Sequence, residues 1–227
     1  MSQRTNLLKS CEDIKKILVE ALDQRGRVYE KISAMTVYWE RDDSGGEGES
    51  RAFADMAKFL GVSDACVHEI SAADKVPGWT LERAVMSWIE EADDKDGRTL
   101  LIFHYTGHAM IDNHNTLQLC PDRKGSKLIP YQRHIGDNLL EPTSNYAFFG
   151  KIDAVVILDA CHSGAAVRGG NIRRSSELVT ATTDEELVCC SLIKAIKLSI
   201  AINCSSLHSE GIKFLFTIKH YSFYILA

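Results

Sequence analysis

The stretch Val155–Ala165 reads VVILDACHSGA. An uninterrupted Val/Ile/Leu run is typical of a strand buried on both faces of a parallel sheet. This run ends in Asp159, Cys161 and His162, groups that a core excludes unless they are paired. Ligands of open parallel sheets bind outside the carboxyl ends of the strands. A buried strand that turns reactive at that end is therefore a candidate site.

A second stretch has the same form. TLLIFHYTGHA, from Thr99, is apolar through Phe103 and ends in His104, Tyr105 and His108. If the two strands are parallel neighbours, a thiol and an imidazole meet at one edge of the sheet. Between and around them, strand-like and helix-like segments alternate. KISAMTVYW is rich in β-formers and is followed by the turn-like ERDDSGGEGES. RAFADMAKFL has a helical period and stops near Gly61. CVHEI is a short strand. Thr80 is a candidate N-cap for LERAVMSWIEEA, whose Leu81, Ala84, Val85, Trp88 and Ile89 share one face. TLQLC reads as a short strand, YQRHIGDNLLE as a helix, SELVTAT as a strand and EELVCCSLIKAIKLSI as a helix. Leu7, Cys11, Ile14, Leu18, Ala21 and Val28 give residues 7–32 an amphipathic helical period, which suits packing on its own domain or on a partner. Alternating strands and helices imply βαβ units. The expected fold is α/β, a three-layer α/β/α sandwich with a mostly parallel central sheet. Residues 1–31 are expected to form an N-terminal amphipathic helix and lead-in, 32–200 the main domain, and 201–227 a segment that is either a divergent ending or a truncation.

Composition narrows the function. With 227 residues, 45% hydrophobic and 25% charged, the chain can build a sizeable core without staples. A net charge of −5 argues against a general nucleic-acid binder, which needs a basic face, and against an anionic membrane surface. No apolar run reaches membrane-spanning length. Seven cysteines without a CxxC pair give no zinc signal, and His104, His108 and Cys161 lack a recognised ligand spacing. The N-terminus MSQRTNLLKSCEDIKK has no apolar signal core. A cytoplasmic chain with free thiols is expected. No GxGxxG or P-loop follows a strand.

The Cys161/His108 pair suits nucleophilic catalysis. The thiolate is the nucleophile, and an imidazole can take the thiol proton or protonate a leaving amine. His162 is a poorer base because chain neighbours point apart. His104 reads as a structural histidine and Tyr105 as a packed aromatic.

The sequence DACHSG, with its His about 50 residues upstream at the end of a Gly-His strand, resembles the caspase pattern. ISAMTVYWERDDSGGEGESRAFADMAKFL is similar to that family's first strand, loop and first helix. Residues 32–182 thus resemble a caspase-fold cysteine protease of the metacaspase or fungal caspase-like type. The resemblance implies a Cys161/His108 dyad and an oxyanion hole from the backbone N–H groups of Cys161 and Ala109. Ala109 stands where the family usually has Gly. Asp159 stands where caspases carry Gln, and metacaspases, which carry Asp, cleave after Arg or Lys. A partly desolvated carboxylate there would pair with guanidinium or ammonium and repel acids. Asp42 and Asp43, in the loop after the first strand, line the same pocket or else form a solvated acidic turn. Arg168, Arg173 and Arg174 lie in a basic loop after the nucleophile and form a candidate self-processing site.

No organic cofactor is implied. The resemblance brings calcium with it, but Asp112, Asp122, Asp137 and Glu141 are scattered, whereas calcium takes six to eight oxygens. The partners expected are protein or peptide substrates with basic residues, and copies of the chain itself. The alternative function is a catalytically impaired caspase-fold module in assembly or signalling, which Ala109 and the short segment after Cys161 would suit.

Overall fold

Strand β1, Lys31–Trp39, carries Met35, Val37 and Trp39 into the core and Thr36 toward the opposite face. This is the two-residue alternation of a strand covered on both sides. The computed structural model describes residues 29–59, 62, 65–93, 97–140, 151–163, 165–166, 176–180 and 225–226. Its further elements are α1 (Gly46–Phe59), β2 (Cys66–Ile70), α2 (Pro77–Asp93), β3 (Thr99–Ile111), β4 (Leu117–Cys120), β5 (Ile129–Pro130), β6 (Ile152–Ala160), β7 (Ser176–Thr180) and β8 (Ile225–Leu226). A π-helical turn, Gln132–Gly136, runs into the short helix Asp137–Leu139.

The main sheet has the order β2-β1-β3-β6-β7-β8. Its pairs are parallel except β7 with β8, which is antiparallel. β3 and β6 lie at its centre, in the register Thr99↔Ile152 through Gly107↔Ala160. Their uninterrupted apolar character follows from this position, since both faces are covered. On one face Leu101, Phe103, Tyr105, Val156 and Leu158 pack with Leu81, Val85 and Trp88 of α2. On the other, His104 stacks on Phe53 of α1, ring centroids 4.6 Å apart. Each fully buried Leu, Val or Phe stabilises the fold by about 1.5–3 kcal/mol relative to exposure. The α/β/α layering and the largely parallel centre agree with the sequence reading. No helix among the described residues is long and apolar enough to cross a membrane.

Several boundaries differ from expectation, each for a local reason. The helical period read to residue 32 overruns, because Lys31 and Ile32 already pair with Thr99 and Leu100 in the sheet. α1 begins at Gly46, inside the stretch read as a turn. Glu47 and Glu49 in its first turn complement the helix dipole. α2 begins at Pro77 rather than after Thr80. Proline suits a first helical position, where no N–H is needed, and the Asp74 carboxylate accepts from Val76 N at 2.9 Å just before it. β3 continues past Gly107, because His108–Ile111 form an antiparallel ladder with β4. YQRHIGDNLLE does coil, but through a π-turn rather than a regular α-helix. The N-terminal helix stripe from Leu7 to Val28, the helix read at 185–200, the basic loop with Arg168, Arg173 and Arg174, Glu141 and most of 201–227 lie outside the described residues.

Candidate active site

The last register pair of the two central strands is Gly107↔Ala160. The next residue on β3 is His108, and the next after β6 is Cys161. Parallel pairing therefore brings thiol and imidazole to the same edge of the sheet, as the sequence suggested. Asp159 is the last residue but one of β6, two positions before Cys161. It pairs with Thr106 and is 7% exposed. β1, beside β3, ends at Trp39, and its following turn carries Asp42 and Asp43 to the same edge.

Two features fix His108. First, Gly107 has φ +144, a backbone region that side chains avoid. A Cβ there would lie 2.9 Å from the Tyr105 hydroxyl and 3.2 Å from Asp42 Oδ2. Glycine at 107 is thus a steric requirement of the kink between the parallel and antiparallel parts of β3. Secondly, the Tyr105 hydroxyl donates to the His108 carbonyl at 2.7 Å. Tyr105 is fully buried, and burial holds its phenol well above the ordinary range, so it stays a donor. It is more than the packed aromatic expected. Ala109, next to His108, pairs with Leu119 and is not among the residues with positive φ. The special backbone falls on Gly107, so Ala109 is sterically at ease.

The two acidic residues of the β1 turn divide in role. Asp42 has a side chain only 1% exposed, with Oδ1 3.6 Å from His108 Nε2. Ser44 N donates to Asp42 Oδ1 at 2.9 Å, and Ser44 Oγ to Oδ2. A Cβ on Gly46 would strike Asp42 Oδ2 at 2.5 Å, so the first turn of α1 is glycine where it meets this carboxylate. Asp43 is exposed, yet its Oδ1 is the hydrogen-bond partner of His108 Nε2. That hydrogen bond, and then the charge of His108, hold the Asp43 carboxyl below its usual range. Sequence reasoning places Asp43 in the pocket lining or a solvated turn and not against His108, from which 65 positions separate it.

Among the described residues, Asp42, Asp43 and His108 form a group whose donor atoms lie within 4.8 Å of one another. Two carboxylates and an imidazole do not fit calcium, which takes oxygen ligands in larger number. The other acidic candidates fit no better. Asp112 accepts from His114 N, Thr116 N and Gln118 Nε2, and Asp122 from Lys124 N, Ser126 N and Ser126 Oγ. Asp137 accepts from Gln132 Nε2. Each closes its own turn or loop.

Cys120, opposite His108 in the β3–β4 ladder, is buried, and burial pushes its thiol up to about 11. Cys161 is partly exposed. His162 follows it with φ +56, in the turn that leaves the strand. His104 is structural: it is fully buried, its Nδ1 meets Thr36 Oγ1 at 2.9 Å, and burial lowers its pKa to about 3.

No protein-family model and no curated protein matches the sequence. Solved structures do. The crystal structure of caspase-1 from Spodoptera frugiperda superposes with a TM-score of 0.51 at 11% identity, covering 75% of this chain and 69% of that one. The Drosophila initiator caspase Dronc gives 0.49 at 11% identity, covering 77% and 66%. At this identity the likeness to the Spodoptera enzyme speaks for architecture alone: the chain has a caspase-like α/β fold.

Proposed function

We propose that the chain is a cysteine endopeptidase of the metacaspase type that cleaves after Arg or Lys. The observation that carries this reading is the β3–β6 register, which runs out at Gly107↔Ala160 with His108 and Cys161 next in line. His108 takes the proton of the Cys161 thiol. The sulfur attacks the scissile carbonyl carbon, and the carbonyl electron pair moves to oxygen, where the backbone N–H groups of Cys161 and Ala109 receive it. Collapse breaks the C–N bond, and His108 returns the proton to the leaving amine. Water then hydrolyses the thioester. Asp42 and Asp159, both low in exposure at the same edge, supply the negative charge for a basic side chain. Partners are protein or peptide substrates with basic residues, in the cytoplasm, where the thiols stay reduced.

The test is hydrolysis of fluorogenic peptides ending in Arg or Asp, under reducing conditions, with a Cys161→Ala control. Arg cleavage that the control lacks is the expected result. Preference for Asp would overturn the specificity. Silence from folded wild-type protein would overturn the peptidase reading and leave the non-catalytic caspase-fold module.

A further inference from the structure

The imidazole of His108 accepts the thiol proton on whichever ring nitrogen carries the lone pair, so its tautomer decides which nitrogen can serve Cys161. A neutral imidazole has one N–H and one lone pair, and a hydrogen bond to one nitrogen decides which is which. His108 Nε2 meets the carboxylate Oδ1 of Asp43. A carboxylate only accepts, so Nε2 carries the hydrogen and Nδ1 is left with the lone pair.

We propose that Asp43 is the positioning residue of this site, orienting His108 and fixing its tautomer so that Nδ1 serves Cys161. This rests on the peptidase reading above and adds a third member to a Cys-His pair. Three observations support it. The β1 turn is constrained: Arg41 has φ +61, a left-handed conformation uncommon for a side-chain-bearing residue, and Asp42 N donates to Trp39 O at 3.2 Å. That bend brings Asp43 to the ring. Asp42 is not an equal rival, since its Oδ1 is 3.6 Å from Nε2 and both its oxygens accept from Ser44. Asp42 lends charge to the ring, and Asp43 makes the bond. Finally, Asp43 is too exposed for its ion pair to matter much to folding. What the contact changes is the ring.

The experiment has two arms. Long-range 1H–15N spectra of the reduced, 15N-labelled full chain identify the His108 signals by their loss in His108→Gln. Neutral His108 in wild type is expected as the Nε2–H tautomer, and Asp43→Ala is expected to mix the two forms. A wild-type Nδ1–H tautomer, or no change on substitution, would overturn the proposal. In the second arm, kcat on the Arg peptide falls roughly 10- to 100-fold in Asp43→Ala with KM within about twofold, a modest share of what acid–base groups contribute. Asp43→Asn, whose amide oxygen still accepts, recovers most of it. A raised KM with unchanged kcat would instead make Asp43 a pocket residue and overturn the proposal. Should wild type hydrolyse nothing, the peptidase reading falls, and the tautomer spectra still decide the role of Asp43.

Discussion

The Tyr105 hydroxyl donates at 2.7 Å to the carbonyl oxygen of His108, three residues further along the same strand. A side chain from the core thereby anchors the backbone of the residue proposed above as the base. In Tyr105→Phe a buried carbonyl loses its partner, which costs about 1–3 kcal/mol. Urea unfolding should show that loss. The kcat on an Arg peptide should fall by roughly tenfold, because small misplacements of a catalytic group are costly. An unchanged stability would mean that water replaces the hydroxyl.

Gly107 marks the change from parallel to antiparallel pairing within β3. Gly107→Ala must hold a side chain at φ +144 and against the Tyr105 hydroxyl. Destabilisation of about 1–3 kcal/mol is expected, with activity lost beyond the unfolded fraction. Thermal unfolding of the variant alongside Ala109→Gly separates the two positions. The latter has no positive φ to relieve and should not gain stability.

His104 makes stability depend on pH. Unfolded, its imidazole titrates near 6.5; folded, it stays neutral to about pH 3. Between those values the unfolded chain binds more protons, so stability is lost as the pH falls below 6.5. The loss from this group is about 1.4 kcal/mol per pH unit at most. Urea midpoints between pH 6.5 and 5, above the carboxylate range, should fall more steeply in wild type than in His104→Gln. Equal slopes would exclude the mechanism.

The described thiols should separate under mild alkylation. Iodoacetamide at pH 7.5, followed by mass mapping of the native chain, is expected to modify Cys161 and the exposed Cys66 and to spare Cys120. Cys120 is buried, with its thiol raised to about 11. Early labelling of Cys120 would mean that the β3–β4 ladder opens readily.

Asp159 is the residue proposed to select a basic side chain. In Asp159→Asn the preference for Arg over a neutral residue should drop roughly 10- to 100-fold, the worth of a charge-assisted hydrogen bond. A peptide panel read as kcat/KM ratios tests it. An unaltered ratio would assign the selection to Asp42 alone.

The legibility of the sequence followed the range of the interactions. β1 is legible to the residue, because the β-formers of KISAMTVYW end at a turn-like stretch. The two central strands were legible as apolar runs, and their reactive ends as exceptions to those runs. The starts of α1 and α2 were missed. Gly46 is required at the start of α1 because a Cβ there would meet Asp42, Tyr38 and the Thr106 carbonyl, a tertiary fact. The helix opens at Pro77 rather than after Thr80 because Trp79 N and Thr80 N already donate to the Val76 carbonyl.

Local chemistry, then, determined the alternation of elements, the buried parallel strands and the presence of a thiol, an imidazole and a carboxylate at strand ends. Periodicity and composition act over a few residues, and they are written in order along the chain. Only the tertiary structure decided which strands are neighbours, that their register stops one residue short of both His108 and Cys161, and that Asp43 rather than Asp42 bonds the imidazole. Those outcomes depend on the packing of α1, α2 and the sheet together. No single segment contains them, because each contact joins residues that the chain holds tens of positions apart.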